Sequence, residues 1–189
     1  MRILISFIGR GKPIGDSSRP GKYTHTTYDF SRLSGGGTYS ASLAGIALLQ
    51  YLDSIHHPPD RWVVLGTAQS SWDALIESIP DELWDDQLTD VATQIEAVVR
   101  NPDGATIPLS QPLLDEWSSA LSNRMNREVV CRLIGYNTER DEHMALWDIL
   151  QSQVRSKDSV VLDVSHGFRH LPMLTAFMVV LLAQMRELT

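Results

Sequence analysis

Residues 159–172 read SVVLDVSHGFRHLP, and this stretch decides the fold. Its first part is an apolar, β-branched run (Val160, Val161, Leu162 and Val164) of the kind found in strands that are buried on both faces of a parallel sheet. Pro172 suits the first turn of a helix, because proline lacks the N–H that this turn leaves unused. Residues 171–188 follow as a helix that is apolar on nearly all sides. The sequence predicts a central strand, a donor-rich polar loop and a buried helix.

Three further apolar runs and one alternating stretch predict the remaining strands. The alternating aromatic and Thr residues of 23–30 are typical of a strand or one arm of a hairpin. The apolar runs predict core strands over residues 2–8, 61–65 and 127–134.

Helical patterns lie between these strands. Thr38 is a suitable cap for a helix over residues 39–53, and Ser70 or Ser71 for one that begins near Trp72. The last helical pattern, over residues 142–154, precedes the strand of the 159–172 stretch. Residues 80–126 predict helices around a 101–112 loop, which we interpret as an insertion or lid. The alternation predicts a Rossmann-like α/β fold with a doubly wound, mostly parallel sheet and a helical insertion at about 80–126, in a single domain over 1–189.

Composition and charge narrow the class of protein. The 189 residues are 43% hydrophobic and 21% charged, which is ordinary for a globular domain. The single cysteine, Cys131, excludes an internal disulfide and lies in an apparent core strand. The longest apolar run, residues 176–183, is too short to span a bilayer, and no signal peptide is visible, so we expect a cytoplasmic protein without a membrane partner.

The net charge of −7 argues against binding to duplex nucleic acid. Residues 1–32 nevertheless contain six Lys or Arg against two Asp. A basic segment on an acidic body suits a small anionic ligand, although a solvated basic loop explains the charge equally well.

Four predicted strands end in loops that carry candidate ligand groups: Gly9–Lys12, Gly66–Ser70, Gly135–Thr138 and Ser165–His170. Such loops meet at one edge of the sheet when the strands are parallel. The first loop can bring backbone N–H groups close to an anion, but it lacks the Gly-Lys-Ser/Thr of a nucleotide P-loop. The convergence predicts a ligand site at this edge.

Three side chains of the last loop allow more than one interpretation. Arg169 offers a planar fork for phosphate. His166 can hydrogen-bond a ligand or transfer a proton near neutral pH. These two residues and His170 can therefore be ligand contacts, catalytic groups or polar residues at a helix start. We expect Asp163 to hold the loop by accepting backbone N–H bonds. No His or Cys pair has the spacing of a zinc site, so we expect no metal.

The stretch Asp163–Arg169 (DVSHGFR) resembles the D-x-[S/T]-H-G-F-R signature of the CRISPR-associated Rossmann-fold (CARF) sensors. Residues 3–9 agree with this resemblance, as does Val63–Thr67 followed by Ser70 and Trp72. It implies a homodimer that binds cyclic oligoadenylate, a small cyclic RNA, as the sensor of a type III CRISPR antiviral effector, with no cofactor. A tetra-adenylate ring is favoured, because its symmetry matches a two-fold axis.

The resemblance also assigns roles to the loops. It implies that backbone N–H groups near Gly9–Gly11 and Ser165–Arg169 hold phosphates, while Thr67, Ser70 and Trp72 border an adenine. The ligand-binding residues implied are Gly9, Arg10, Gly11, Lys12, Gly66, Thr67, Ser70, Trp72, Ser165, His166, Gly167, Phe168 and Arg169.

Two alternatives remain open. A metal-independent ring nuclease would cleave the same ligand by positioning a ribose 2′-OH, with His166 as the catalytic candidate. Another nucleotide-binding Rossmann enzyme is a weaker alternative, because no G-x-G-x-x-G is present. Since no output domain follows the sensor, we expect either a fragment that lacks its C-terminal output domain or a minimal stand-alone sensor.

Overall fold

The computed structural model describes residues 1–14, 20–100, 109–136, 139–165 and 170–186. The strands are β1 (Arg2–Ile8), β2 (Thr26–Asp29), β3 (Thr38–Ala41), β4 (Arg61–Gly66), β5 (Glu128–Leu133) and β6 (Ser159–Leu162). The α-helices are α1 (Ala44–Ser54), α2 (Asp86–Arg100), α3 (Gln111–Met125), α4 (Arg140–Gln153) and α5 (His170–Arg186). Two 3₁₀ helices, Trp72–Ser78 and Asp81–Leu83, lie between β4 and α2.

The main sheet has four parallel strands in the order β5-β4-β1-β6. Ile5 of β1 pairs with Val63 of β4 on one side and with Leu162 of β6 on the other. The chain thus proceeds from β1 to β4 and β5, and then crosses back to place β6 beyond β1. The direction of winding reverses between β1 and β6, which is where open α/β sheets bind ligands.

Helices cover both faces of this sheet. Leu4 and Ile8 of β1 face a core that also contains buried residues of α1, α2 and α3. Ile5 and Phe7 face a second core, which contains buried residues of α4 and α5. Alternate side chains of one strand therefore enter two different cores, which confirms the predicted doubly wound α/β fold.

The prediction for residues 38–53 is wrong at its start. Residues 38–41 form strand β3, which pairs antiparallel with β2, and the helix begins only at Ala44. Tyr39 joins an aromatic cluster in which the ring centroid of Phe30 lies 5.8 Å from that of Tyr39 and 5.2 Å from that of Tyr51. Cross-strand pairing and these ring contacts outweigh the helical pattern, so Thr38 caps no helix.

The predicted helices of residues 80–126 are present and tightly packed. Leu114, Trp117 and Leu121 of α3 are fully buried in the first core. The Ser118 hydroxyl accepts a hydrogen bond of 2.8 Å from the Cys131 amide of β5. Burial raises the pKa of the Cys131 thiol to about 12, as fits a core residue. These helices are therefore a layer of the core.

Strand β6 and helix α5, which lie on either side of the signature loop (residues 163–169 in the sequence), are less buried than their sequences predict. Strand β6 lies at one edge of the described sheet and is half-buried, so it is not the central strand that its apolar run predicts. Helix α5 buries Leu171, Met178 and Leu182 in the second core but exposes a stripe of large apolar side chains on its other side. The stripe comprises Met173, Phe177, Val180, Leu181 and Met185, each 51–67% exposed. No helix among the described residues is long and apolar enough to cross a membrane.

Candidate functional site

A cleft of about 390 Å³ opens at the carboxyl ends of β1, β4 and β5. The start of α5 closes one side of it. The lining residues are Phe7, Ile8, Gly9, Arg10, Gly66, Thr67, Gln69, Ser70, Ile134 and Leu171. Two of the four predicted loops, Gly9–Lys12 and Gly66–Ser70, thus meet in one cavity, and Ile134 joins them after β5. The described residues of the other two loops, and residues 80–126, contribute none of the described lining.

Two consecutive serines fasten the β4 loop to the end of β1. The Ser70 hydroxyl donates a hydrogen bond of 2.8 Å to the Ile8 carbonyl and accepts one of 3.0 Å from the Thr67 amide. The Ser71 amide donates to the Gly9 carbonyl at 3.0 Å, and the Ser71 hydroxyl accepts from the Gly11 amide at 2.8 Å. These four bonds hold the two loops of the cleft in a fixed relation. Neither serine caps the following 3₁₀ helix through its side chain, so that prediction is wrong.

Glycine is required at position 66, where β4 ends. A Cβ atom there would lie 2.3 Å from a methyl carbon of Ile8 and 2.7 Å from the Trp72 ring. The loop after β4 can therefore approach β1 this closely only because residue 66 has no side chain.

Trp72 holds the loop after β4 from within the core and does not line the cleft. Its side chain is fully buried, and its indole N–H donates a hydrogen bond of 2.9 Å to the Thr67 carbonyl. Trp72 was expected to border an adenine, but the structure places its ring in the first core and not in the cleft lining. Ser70 lines the cleft but is 3% exposed, and its hydroxyl is occupied by the loop.

Only some groups of the predicted phosphate-binding loop after β1 are free to contact a ligand. Gly9 and Arg10 line the cleft, and the side chains of Arg10 and Lys12 are exposed. The Gly11 amide, in contrast, already donates to Ser71, and a Cβ on Gly11 would lie 2.6 Å from the Tyr23 ring. Gly11 is therefore packed against Tyr23, and its N–H is already hydrogen-bonded within the protein.

The start of the signature loop is tied to the sheet through Asp163. Its amide donates a hydrogen bond of 2.8 Å to the Ile5 carbonyl, and its Oδ1 atom accepts one of 2.8 Å from the Ser165 amide. The prediction that Asp163 holds the loop is confirmed, and the Ser165 N–H is used within the loop. The second carboxylate oxygen of Asp163 is buried and has no hydrogen-bond partner among the described residues.

His170 links two loops at the site. Its Nε2 atom lies 2.7 Å from the carbonyl oxygen of Tyr136, which follows β5. This contact favours the structural interpretation of His170 over a role in contacting ligand. The predicted site residues His166, Gly167, Phe168 and Arg169 lie outside the described residues, as do Asn137 and Thr138. No group of three or more His, Cys, Asp or Glu side chains suited to a metal ion occurs in the described part of the chain.

Sequence reasoning missed several residues of the cleft. Gln69 lies in the predicted loop but was not singled out, because a lone amide in a loop carries no pattern. Phe7, Ile134 and Leu171 look like ordinary core residues in the sequence, and they line the cleft because strand and helix ends meet there. The only signal in the sequence for Gln69 was its place within the predicted loop Gly66–Ser70.

Comparisons with known proteins agree with this geometry. The family model described as "CRISPR system endoribonuclease Csx1, CARF domain" matches residues 3–189. The CRISPR-associated protein MJ1674 of Methanocaldococcus jannaschii is 25% identical over 139 residues, which are 67% of this chain and 21% of that protein. The chain thus spans about a fifth of the length of this relative. Since the family model covers nearly the whole chain, including the signature loop, the chain belongs to the Csx1 CARF-domain family of CRISPR-system proteins.

Proposed function

We propose that the chain is the sensor domain of a type III CRISPR antiviral effector and binds a cyclic oligoadenylate ring in the cleft, with cyclic tetra-adenylate as the favoured ligand. The observation that carries the proposal is the position of the cleft. It lies at the carboxyl ends of β1, β4 and β5, and β1 is one of the two strands between which the winding reverses. The family signature follows β6 at this same edge.

The electrostatics of the cleft support an anionic ligand. Arg10 lines the cleft with an exposed guanidinium group, and Lys12 is exposed two residues later. Neither side chain forms an ion pair with another described residue. Arg169 would add a third cation from the signature loop. Two or three cations suit a small ring of phosphates, whereas the net charge of −7 disfavours a long duplex.

The exposed stripe of α5 supports the proposed homodimer. Its five residues follow the spacing of one helical face, and large contiguous apolar patches on soluble domains mark interaction surfaces. A two-fold axis beside this stripe would bring two clefts together. A tetra-adenylate ring has matching symmetry, so each chain would hold half of it.

A calorimetric titration with rings of three, four and six adenylates, and with linear tetra-adenylate as the control, tests the proposed function. We expect saturable binding of the tetra-adenylate ring, weaker binding of the other rings and little binding of the linear control. Chromatography of the same mixtures shows whether the ring is cleaved. Failure of all three rings to bind would contradict the proposal.

A further inference from the structure

The side chain of Gln69 has no assigned role in the cleft. It lines the cleft and is exposed, whereas its neighbours Thr67 and Ser70 are 8% and 3% exposed. None of the described residues makes a hydrogen bond to the Gln69 amide. The donor and the acceptor of this amide thus both lack a protein partner in the described part of the chain.

The backbone beneath Gln69 is unusually well fixed for a loop. The Ser70 amide closes the turn by donating to the Thr67 carbonyl at 3.1 Å, and the Thr67 amide donates to the Ser70 hydroxyl at 3.0 Å. The Trp72 indole N–H donates to the Thr67 carbonyl at 2.9 Å from the core. A side chain presented on a turn that is held in this way loses little further backbone freedom when a ligand binds.

The chemistry of the rest of the cleft separates two kinds of contact. Arg10 is suited to phosphate. Phe7, Ile134 and Leu171 form an apolar wall that suits the flat face of a base. Gln69 adds a side-chain amide to the same cleft, and an amide is suited to the polar edge of that base.

We propose that Gln69 determines specificity for adenine by pairing with the N6 and N7 atoms of one base of the ring. The inference rests on the proposed function, since it assigns a base contact within the same cleft. The amide oxygen accepts a hydrogen bond from the N6 amino group, and the amide N–H₂ donates one to N7. Guanine presents acceptors at both positions, so the amide oxygen would face the O6 atom without a hydrogen between them.

The test is a double-mutant cycle between the protein and the ring. Binding of cyclic tetra-adenylate and of its 7-deaza-adenosine version, in which N7 is replaced by C–H, is measured for wild type and Gln69→Ala. Gln87→Ala is the matched control, because Gln87 is an exposed glutamine on α2 that lines a different surface depression. Thermal unfolding of each variant confirms that it is folded.

We expect the 7-deaza ring to bind wild type and Gln87→Ala about tenfold more weakly than the natural ring. Gln69→Ala should bind the natural ring about tenfold more weakly than wild type does. The affinity of Gln69→Ala for the 7-deaza ring should be less than about twofold below its affinity for the natural ring. If replacing the natural ring by the 7-deaza ring lowers the affinity of wild type and of Gln69→Ala by the same factor, the inference is overturned and the proposed function is left intact. Absence of binding of the natural ring to wild type would overturn both.

Discussion

At the scale of single residues, Ser70 shows how a side chain that lines the cleft can hold two loops together. Its hydroxyl joins the end of β1 to the loop after β4 through bonds to the Ile8 carbonyl and the Thr67 amide. Both of these backbone groups would lose a buried partner in a Ser70→Ala variant. We expect this variant to lose about 1–3 kcal/mol in the free energy of unfolding, measured with urea.

Ser119→Ala is the matched control for this measurement. Ser119 is exposed on α3, and its hydroxyl donates only to the Asp115 carbonyl one turn earlier. We expect a change within about 0.5 kcal/mol there. If Ser70→Ala proves as stable as Ser119→Ala, the two loops of the cleft are not held together by this hydroxyl.

The cations of the site lead to a second residue-scale prediction. Arg10→Ala and Arg169→Ala should each weaken binding of cyclic tetra-adenylate by one to two orders of magnitude without unfolding the domain. A charge-assisted contact contributes roughly 1.5–3 kcal/mol, and about 1.4 kcal/mol corresponds to a tenfold change. Arg32→Ala, an exposed cation in the β2–β3 hairpin, is the control in the same calorimetric titration. Unchanged affinity in either cleft variant would remove that side chain from the phosphate contacts.

At the scale of secondary-structure elements, α5 buries one side in the second core and exposes five large apolar residues on the other. If this stripe is the dimer interface, Phe177→Glu should produce a monomer, because it places a charge in the contact. The monomer should remain folded, since Phe177 is 65% exposed in the single chain. Sedimentation velocity at micromolar concentration, together with circular dichroism, checks both expectations.

Leu83→Glu controls for the general effect of a new charge at an exposed apolar position. Leu83 is 46% exposed and lies in the 3₁₀ helix Asp81–Leu83. It should leave the dimer unchanged. A Phe177→Glu protein that still sediments as a dimer would show that the two copies meet elsewhere.

The start of β6 gives an element-scale prediction about pH. Burial alone would raise the pKa of Asp158, but hydrogen bonds from the Arg155 amide and the N-terminal ammonium group lower it below its ordinary value of 3.8. The folded state therefore binds this proton more weakly than the unfolded chain does. The resulting stability is present above the unfolded pKa and is lost as pH falls through the folded pKa.

We expect Asp158→Asn to be less stable than wild type at pH 7 and to lose less stability on acidification. Urea unfolding between about pH 6 and pH 3 measures the two slopes. Asp148→Asn, at an exposed position on α4, should follow the wild-type curve. Parallel curves for wild type and Asp158→Asn would show that the depressed pKa does not contribute to stability.

Sequence patterns predicted the elements well where burial alone decides them. The apolar runs of β1, β4 and β5 enter both cores and were assigned nearly to the residue. The apolar run of β6 gave the right element but the wrong place, because its composition does not reveal that it lies at an edge. Strand β3 was missed because its pairing with β2 depends on contacts such as Tyr28 with Tyr39, which a helical pattern does not encode.

The candidate site was predictable in position but not in detail. Parallel strands bring their carboxyl ends together, so the sequence alone places the loops after β1 and β4 at one edge of the sheet. Which groups remain available for a ligand depends on hydrogen bonds between loops. Gly11, Ser70 and Trp72 were expected at the ligand, but each has its polar group bonded within the protein.

At the scale of the whole molecule, helix α5 contributes both to the cleft and to the exposed apolar stripe. Leu171, at the start of α5, lines the cleft, and Phe177 lies less than two turns further along the same helix. A two-fold axis along this helix would therefore also bring the clefts of two copies near each other. The proposed dimer is thus compatible with a ring shared between the clefts of two chains.

The stoichiometry of ring binding tests this central claim most directly. Isothermal titration of wild type with cyclic tetra-adenylate should saturate at one ring for every two chains, and the complex should sediment as a dimer. One ring bound to each monomeric chain, or no binding at all, would contradict the account.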